Sequence, residues 1–195
     1  MLAPFDYLAP GSLAGAVAAL AATPGSQPLA GGQLLLPAMK TQRAAPPQLV
    51  DLRRIGRLHG VHPAPPGQLR IGALTTLDEL LEHPMLEPRW AASLVEAARA
   101  SGDPQFRNRA TVGGCLATRR AASHLAAALL VAEASLVLVG GTGERVVSAE
   151  QFYAAGPPGL AAGEILTEVR LPVATMTGSG YEVVADRAAG HPICG

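Results

Sequence analysis

Aromatic residues are scarce: three Phe, three Tyr and one Trp make up 4% of a 195-residue chain that is 49% apolar. Its core must therefore be built from Ala, Leu and Val rather than rings. An excess of charge of either sign is also lacking, because 15 Lys and Arg balance 15 Asp and Glu. That balance excludes the basic footprint of a nucleic-acid or anionic-membrane binder. Any phosphate must be held by local backbone geometry rather than by a general positive field. Cysteine is nearly absent. Cys115 and Cys194 lie too far apart for a metal motif, and two thiols do not make a disulfide framework, so a reducing compartment is expected. Long hydrophobic runs are missing too: residues 125–133 are far too few to span a bilayer. The opening Met1-Leu2-Ala3-Pro4-Phe5-Asp6 has no basic n-region and no apolar h-region. No secretory signal is expected there, and the cytoplasm is the plain reading.

Familiar catalytic patterns are absent as well. There is no G-x-x-x-x-G-K-[ST], no H-E-x-x-H, no C-x-x-C and no G-x-S-x-G. Gly141-Thr142-Gly143 follows a strand pattern, but Val146 stands where a dinucleotide fingerprint needs its third glycine. That segment reads as a hairpin turn. No catalytic residue and no metal ligand set is expected.

Two Gly-Gly pairs are what the chain does have: Leu29-Ala30-Gly31-Gly32-Gln33-Leu34 and Ala110-Thr111-Val112-Gly113-Gly114-Cys115. A Gly-Gly turn lets backbone N–H groups approach an anion with no Cβ in the way. One such turn says little. Two, each opening into an apolar segment, suggest a single diphosphate held from both sides.

At this length a chain buries roughly 70% of its unfolded surface and forms one or two domains. The 22 Gly and 17 Pro fall between periodic segments and read as turns. Ser12 caps a helix through Leu13, Ala16, Val17 and Leu20, which Pro24-Gly25 ends. Residues 27–30 and 48–52 read as strands, with an irregular helical turn over 34–40. A Gly-, Pro- and His-rich seam follows at 53–67, and a subdomain boundary is placed near Arg57. Residues 68–73 form a strand. Thr76 and Glu79 have capping-box spacing and open a helix that Pro84 stops. Residues 90–100 form a second helix with Trp90 in the core, and Asp103-Pro104 starts a turn. Residues 123–132, apolar almost all round, predict a buried helix. A hairpin spans 134–147, Ser148 and Gln151 repeat the capping-box spacing, and 164–171 alternates as a strand. Residues 180–184 start one more strand, and 181–185 lack an obvious partner. Strands and helices mix without a βαβ rhythm, which favours α+β.

These segments resemble the FAD-binding medium subunit of molybdenum hydroxylases. That family includes the carbon monoxide dehydrogenase medium chain and the flavin domain of xanthine dehydrogenase. The resemblance is carried in order by Ala3-Pro4-Phe5-Asp6-Tyr7, Ala30-Gly31-Gly32-Gln33, Pro37-Ala38-Met39-Lys40, Leu49-Val50-Asp51-Leu52, Ile71-Gly72-Ala73-Leu74-Thr75-Thr76, Gly102-Asp103-Pro104-Gln105, Thr111-Val112-Gly113-Gly114 and Gly163-Glu164-Ile165. It implies a two-lobed α+β fold of the PCMH/vanillyl-alcohol-oxidase-like type. Lobe 1 would be residues 1–57 and lobe 2 residues 58–175. Residues 176–195 would begin a C-terminal subdomain that is otherwise missing. Ala30, Gly31, Gly32, Gln33 and Leu34 would cradle the FAD pyrophosphate from one side. Thr111, Val112, Gly113, Gly114 and Cys115 would cradle it from the other, with the Thr111 hydroxyl as an added donor. The family implies an electron-transfer subunit, not catalytic alone. It would work beside an iron–sulfur small subunit and a molybdopterin-binding large subunit, passing electrons through FAD to an acceptor.

The chain departs from the family pattern at Leu34, where Ser is usual, and at Arg120 and His124, where aspartates are usual. Arg cannot accept a hydrogen bond from a sugar hydroxyl. Arg119 or Arg120 either contacts phosphate or belongs to a solvated basic turn. His124 either contacts the sugar or is a partly buried structural residue. Asp186-Arg187-Ala188-Ala189-Gly190 blurs a further family segment. Cys115 and Met39 read as packed residues; His59, His62 and His83 read as surface residues. A second reading therefore stands beside the first: a relative that no longer holds flavin and serves only as an assembly partner.

Overall fold

The structure is a computed structural model. It describes residues 2–65, 67–86, 89–117, 123–154, 160–173, 178–185 and 192–194, with backbone alone for 185 and 192–194. Thr118-Arg119-Arg120-Ala121-Ala122 and Asp186-Arg187-Ala188-Ala189-Gly190 lie outside the described residues.

The chain opens with a small parallel sheet. β1 (Asp6–Leu8) and β2 (Gln27–Leu29) flank β3 (Gln48–Asp51), in the order β1-β3-β2. All four residues of β3 are buried, as suits the central strand of a parallel sheet. Between β1 and β2 runs α1 (Leu13–Ala22), where the Ser12 hydroxyl accepts the Gly15 N–H at 3.2 Å. Leu13, Ala16 and Leu20 share one face of α1 and pack with Val50, Leu52, Ile55 and Leu58. Leu74 and Ile165 join the same cluster, so apolar contact crosses the boundary placed near Arg57. α2 (Leu35–Lys40) follows β2 and buries Met39, as expected.

The second sheet is antiparallel. It runs β4 (Val61–Ala64), β5 (Gln68–Gly72), β8 (Ile165–Pro172), β6 (Ser135–Gly140), β7 (Gly143–Ser148). Over it lie α3 (Leu77–Glu82), α4 (Ala92–Ala100), α5 (Pro104–Arg107), α6 (Val112–Ala117), α7 (His124–Val131) and α8 (Ala149–Ala154). Leu69, Ile71, Leu136, Leu138 and Val169 from the strands meet Leu77, Leu80, Leu94, Leu125 and Leu129 from the helices. Ala97, Ala98 and Ala128, all buried, let α4 and α7 approach closely, which is how a core with few rings stays filled. Both predicted capping boxes form. Thr76 Oγ1 takes the Glu79 N–H at 3.2 Å while Glu79 takes the Thr76 N–H at 2.7 Å. Ser148 and Gln151 exchange the same pair of bonds at 3.0 and 3.2 Å.

The fold departs from the sequence reading in several places. The 53–67 seam carries a strand that was not expected, β4, pairing Val61–Ala64 with β5, and Pro63 is tolerated because β4 is an edge strand. β1 pairs where no strand was expected. α7 is not buried all round, since Leu130 is 41% and Val131 66% exposed. Trp90 sits in a short 3₁₀ turn ahead of α4 and is half-buried against the main core. The expected strand at 180–184 shrinks to β9 (Val184–Ala185), and its partner is β10 (Pro192–Cys194), antiparallel. Ahead of β9 the chain is a strap held by side chains and by the Ser179 N–H, which donates to the Arg89 carbonyl at 3.0 Å. The Ser179 hydroxyl accepts the Ser93 N–H and donates to the Trp90 carbonyl, and the Tyr181 N–H donates to Glu96.

Among the described residues no helix is long and apolar enough to cross a membrane. No group of His, Cys, Asp and Glu among them is placed to hold a metal ion.

Candidate cofactor cleft

The loop after β2 is shaped by its two glycines for different reasons. Gly32 adopts φ +75°, a left-handed conformation that L side chains rarely take. Gly31 is needed for proximity: a Cβ there would be driven into the Arg109 carbonyl group. The loop therefore lies directly on the segment that precedes the second Gly-Gly pair. Among the described residues, no backbone or side-chain acceptor takes the N–H of Gly31, Gly32, Gln33, Leu34 or Leu35. Such a run of unbonded donors in a turning backbone is a ready anion cradle.

The second pair differs from expectation, because Gly113 and Gly114 sit in α6 rather than in a turn. Its donors are already committed. The Val112 N–H donates to the Thr75 carbonyl at 2.9 Å, and the Gly113 N–H donates to the Ala73 carbonyl at 2.8 Å. The Gly114 N–H donates to Thr111 Oγ1 at 3.1 Å. Gly113 is a packing glycine: a Cβ would come within 2.7 Å of the Ala73 β-carbon. Val112 and Gly113 face the interior, whereas Thr111, Gly114 and Cys115 face the first loop across a cleft. The Thr111 hydroxyl accepts from Gly114 and retains its own O–H to donate.

That cleft has a volume of about 1000 Å³, at the upper end of the range for cofactor and ligand sites. Ala30, Gly31, Gly32, Gln33 and Leu34 line one side, and Thr111, Gly114 and Cys115 the other. Residues 160–164 supply a third wall that sequence reasoning missed, and Phe106 and the 24–28 turn were missed with it. Gly163 in this wall adopts φ +79°.

Charge is almost absent from the lining. Among the described lining residues Glu164 alone carries a charged side chain, and no cation does. Arg145 donates to Glu164 through Nε and Nη2, each at 2.7 Å, and holds that carboxyl below its usual range. Burial pushes the Cys115 thiol up to about 11, so it is a neutral group packed against the core. Beneath the first loop, Asp51 is buried at the end of β3. Burial raises its pKa, but bonds from Arg53 and from the Tyr7 hydroxyl, the latter at 2.5 Å, overcome this and hold it at about 2.

Of the remaining candidates, His124, Asp103, His59, His62 and His83 are not in the cleft lining. His124 opens α7, is half-buried, and shares a 2.9 Å hydrogen bond between Nδ1 and the Tyr181 hydroxyl. Asp103 caps α5 through the Phe106 N–H at 2.7 Å. His62 is exposed, while His59 and His83 are half-buried and bonded locally. Arg119 and Arg120 lie outside the described residues.

Residues 3–174 match the family described as the FAD binding domain in molybdopterin dehydrogenase. The carbon monoxide dehydrogenase medium chain of Hydrogenophaga pseudoflava is 38% identical over 182 residues, covering 91% of this chain and 62% of that one. The glyceraldehyde dehydrogenase medium chain of Sulfolobus acidocaldarius is 30% identical over 191 residues, covering 97% and 67%. In structure, the carbon monoxide dehydrogenase of H. pseudoflava lacking the Mo-pyranopterin moiety superposes with a TM-score of 0.91 at 34% identity. That match covers 98% of this chain and 67% of that one. Quinoline 2-oxidoreductase of Pseudomonas putida 86 superposes with a TM-score of 0.88 at 28% identity, covering 99% and 67%. The chain thus spans about three fifths of the length of the carbon monoxide dehydrogenase medium chains it matches.

Proposed function

Because the chain belongs to the family of FAD-binding domains of molybdopterin dehydrogenases, we propose that it carries FAD in this cleft as the electron-transfer component of a molybdenum hydroxylase. The observation that carries the reading is the run of N–H groups from Gly31 to Leu35 that find no acceptor among the described residues, set in an apolar cleft with no cation in its described lining. A diphosphate fits that donor set, because backbone N–H groups and loop dipoles bind anions without a charged side chain. Gly31, Gly32, Gln33 and Leu34, with Ala30 leading in, would hold the phosphates. The Thr111 hydroxyl would donate from the facing side. Gly114 and Cys115 would supply close apolar contact, and Val112 and Gly113 would support them from within the core. The assignment of residues 1–57 and 58–175 to two lobes is supported by the division of the strands into one parallel and one antiparallel sheet. A further unit from residue 176 is supported by β9 pairing with β10 rather than with either sheet.

Bound flavin supplies reversible electron transfer between one-electron and two-electron partners. The chain's own residues bind it, orient it and exclude water from one side of it. No acid–base pair among the described lining residues is arranged for hydroxylation, so substrate oxidation belongs elsewhere. We place that step on a molybdopterin-binding large subunit, with an iron–sulfur small subunit relaying electrons to this chain. The cytoplasm suits a chain with two cysteines and no disulfide framework.

The test is an absorbance spectrum and thermal melt of the purified chain with and without FAD. Flavin bands, or a melting temperature that rises with FAD concentration, support the reading. The second reading, an assembly partner without flavin, draws on Leu34, which brings no hydroxyl to the cradle. A colourless protein with an FAD-independent melt supports that one instead.

A further inference from the structure

The third wall of the cleft has its own fastening. Glu164 stands at the entrance to β8, and its carboxylate accepts Arg145 Nε and Nη2 and the Ala161 N–H, each at 2.7 Å. The backbone closes the same turn, with the Glu164 N–H donating to the Ala161 carbonyl at 3.0 Å. Gly163 supplies the left-handed residue the turn requires, at φ +79°. Across the sheet, Gly140 leaves room for the Glu164 stem, since a Cβ there would sit 2.9 Å from Glu164 Cγ. Among the described residues, no other hydrogen bond ties residues 160–163 to the sheet. Arg145 itself lies on β7 and does not line the cleft.

An ion pair this exposed on the arginine side (45%, against 11% for Glu164) adds little to global stability. Its geometry serves a different end. The bidentate fork fixes one orientation of the carboxylate. It also neutralises the one charged side chain in the described lining of a cleft read as a diphosphate site. We propose that Glu164 and Arg145 are positioning residues. They form a latch that sets the third wall and screens the cleft from the Glu164 charge, and so governs how slowly FAD leaves. This rests on the cleft being the FAD site.

Charge separates the latch from an ordinary structural contact. Arg145→Met leaves a carboxylate in the cleft lining without the cation that balances its charge, whereas Glu164→Gln removes the charge and keeps an acceptor for the Ala161 N–H. The experiment measures FAD release from the full chain by the recovery of flavin fluorescence, together with the melt of each flavin-free variant. Arg145→Met is expected to speed release about tenfold and Glu164→Gln about threefold. The double variant is expected to return to the Glu164→Gln rate. The flavin-free melts of all four proteins are expected to stay within a few degrees of one another. Release rates that match wild type, or that only follow losses in the flavin-free melt, overturn the latch. A wild-type chain that takes up no FAD overturns the cofactor assignment, and the latch's part in retention falls with it.

Discussion

Gly31 and Arg109 are in backbone contact: a β-carbon on Gly31 would come within 2.8 Å of the Arg109 carbonyl carbon and closer still to its oxygen. Two segments far apart in sequence are thereby locked together, one from each sheet's side of the molecule. Both segments then line the cleft, Ala30 to Leu34 on one side and Thr111, Gly114 and Cys115 on the other. Neither partner of such a contact is the far end of a flexible side chain, so nothing can swing aside to admit a methyl group.

Gly31→Ala is therefore expected to destabilise the fold by about 1–3 kcal/mol, the range for overpacking a rigid site. FAD-dependent stabilisation is expected to disappear with it. Gly32→Ala is the comparison. It carries a left-handed backbone cost of about 1–2 kcal/mol, but its nearest neighbour, Leu36 Cδ1 at 2.9 Å, can rotate away. Chemical denaturation of both variants checks the order. An Ala at Gly31 as stable as wild type would show that the two segments do not press on one another.

FAD affinity is expected to depend weakly on salt. Backbone N–H donors line the described cleft and cations do not, so little Coulombic attraction is available for ions to screen. Titrations at low and physiological ionic strength should agree within about twofold. A steep loss with salt would instead point to Arg119 or Arg120, and the paired substitution to glutamine should then flatten it.

What was legible in the sequence was whatever is decided locally. Thr76 with Glu79, and Ser148 with Gln151, announced their helices because the capping partners lie within one turn. Ser12 announced α1 for the same reason. β4 was missed because His62 and Pro63 spoil its alternation and its pairing is supplied by β5. α6 was misread because a Gly-Gly pair looks like a turn. Gly113 is glycine because Ala73, far away in sequence, presses on it. The third wall was invisible because Ala161, Ala162 and Gly163 carry no side-chain chemistry to notice. The cleft's existence was legible from its two glycine motifs, but the division of labour between them was not.

Asp51 is expected to make the fold acid-sensitive in a defined window. Its folded pKa of about 2 lies below the ordinary 3.8, because bonds from Arg53 and Tyr7 outweigh the effect of burial. A depressed carboxylate stabilises the fold above the unfolded value, and that contribution is lost as pH falls through the folded one. Stability should decline between about pH 4 and pH 2 in wild type. Asp51→Asn should lower stability at pH 7 by about 1–3 kcal/mol and flatten that decline. Urea melts across the range check both. An unchanged pH slope in Asp51→Asn would show that another carboxylate carries the acid response.

Cys115 gives a direct report on the cleft, because it lines the space where FAD is proposed to bind and burial holds its thiol neutral, with a pKa of about 11. The thiolate is the reactive species, so near pH 8 alkylation is expected to run at least tenfold slower than in the urea-unfolded chain. Carrying Cys194→Ser isolates the signal to one thiol. FAD should slow the reaction further, in proportion to site occupancy, because a bound cofactor blocks the reagent's approach from the cleft side. Mass spectrometry of the alkylated chain over time reads both effects. Protection by FAD that saturates at one equivalent would place the cofactor beside Cys115. An alkylation rate indifferent to FAD, in a chain that demonstrably binds it, would move the cofactor away from α6 and leave the Gly31–Leu35 donors to hold it from one side alone.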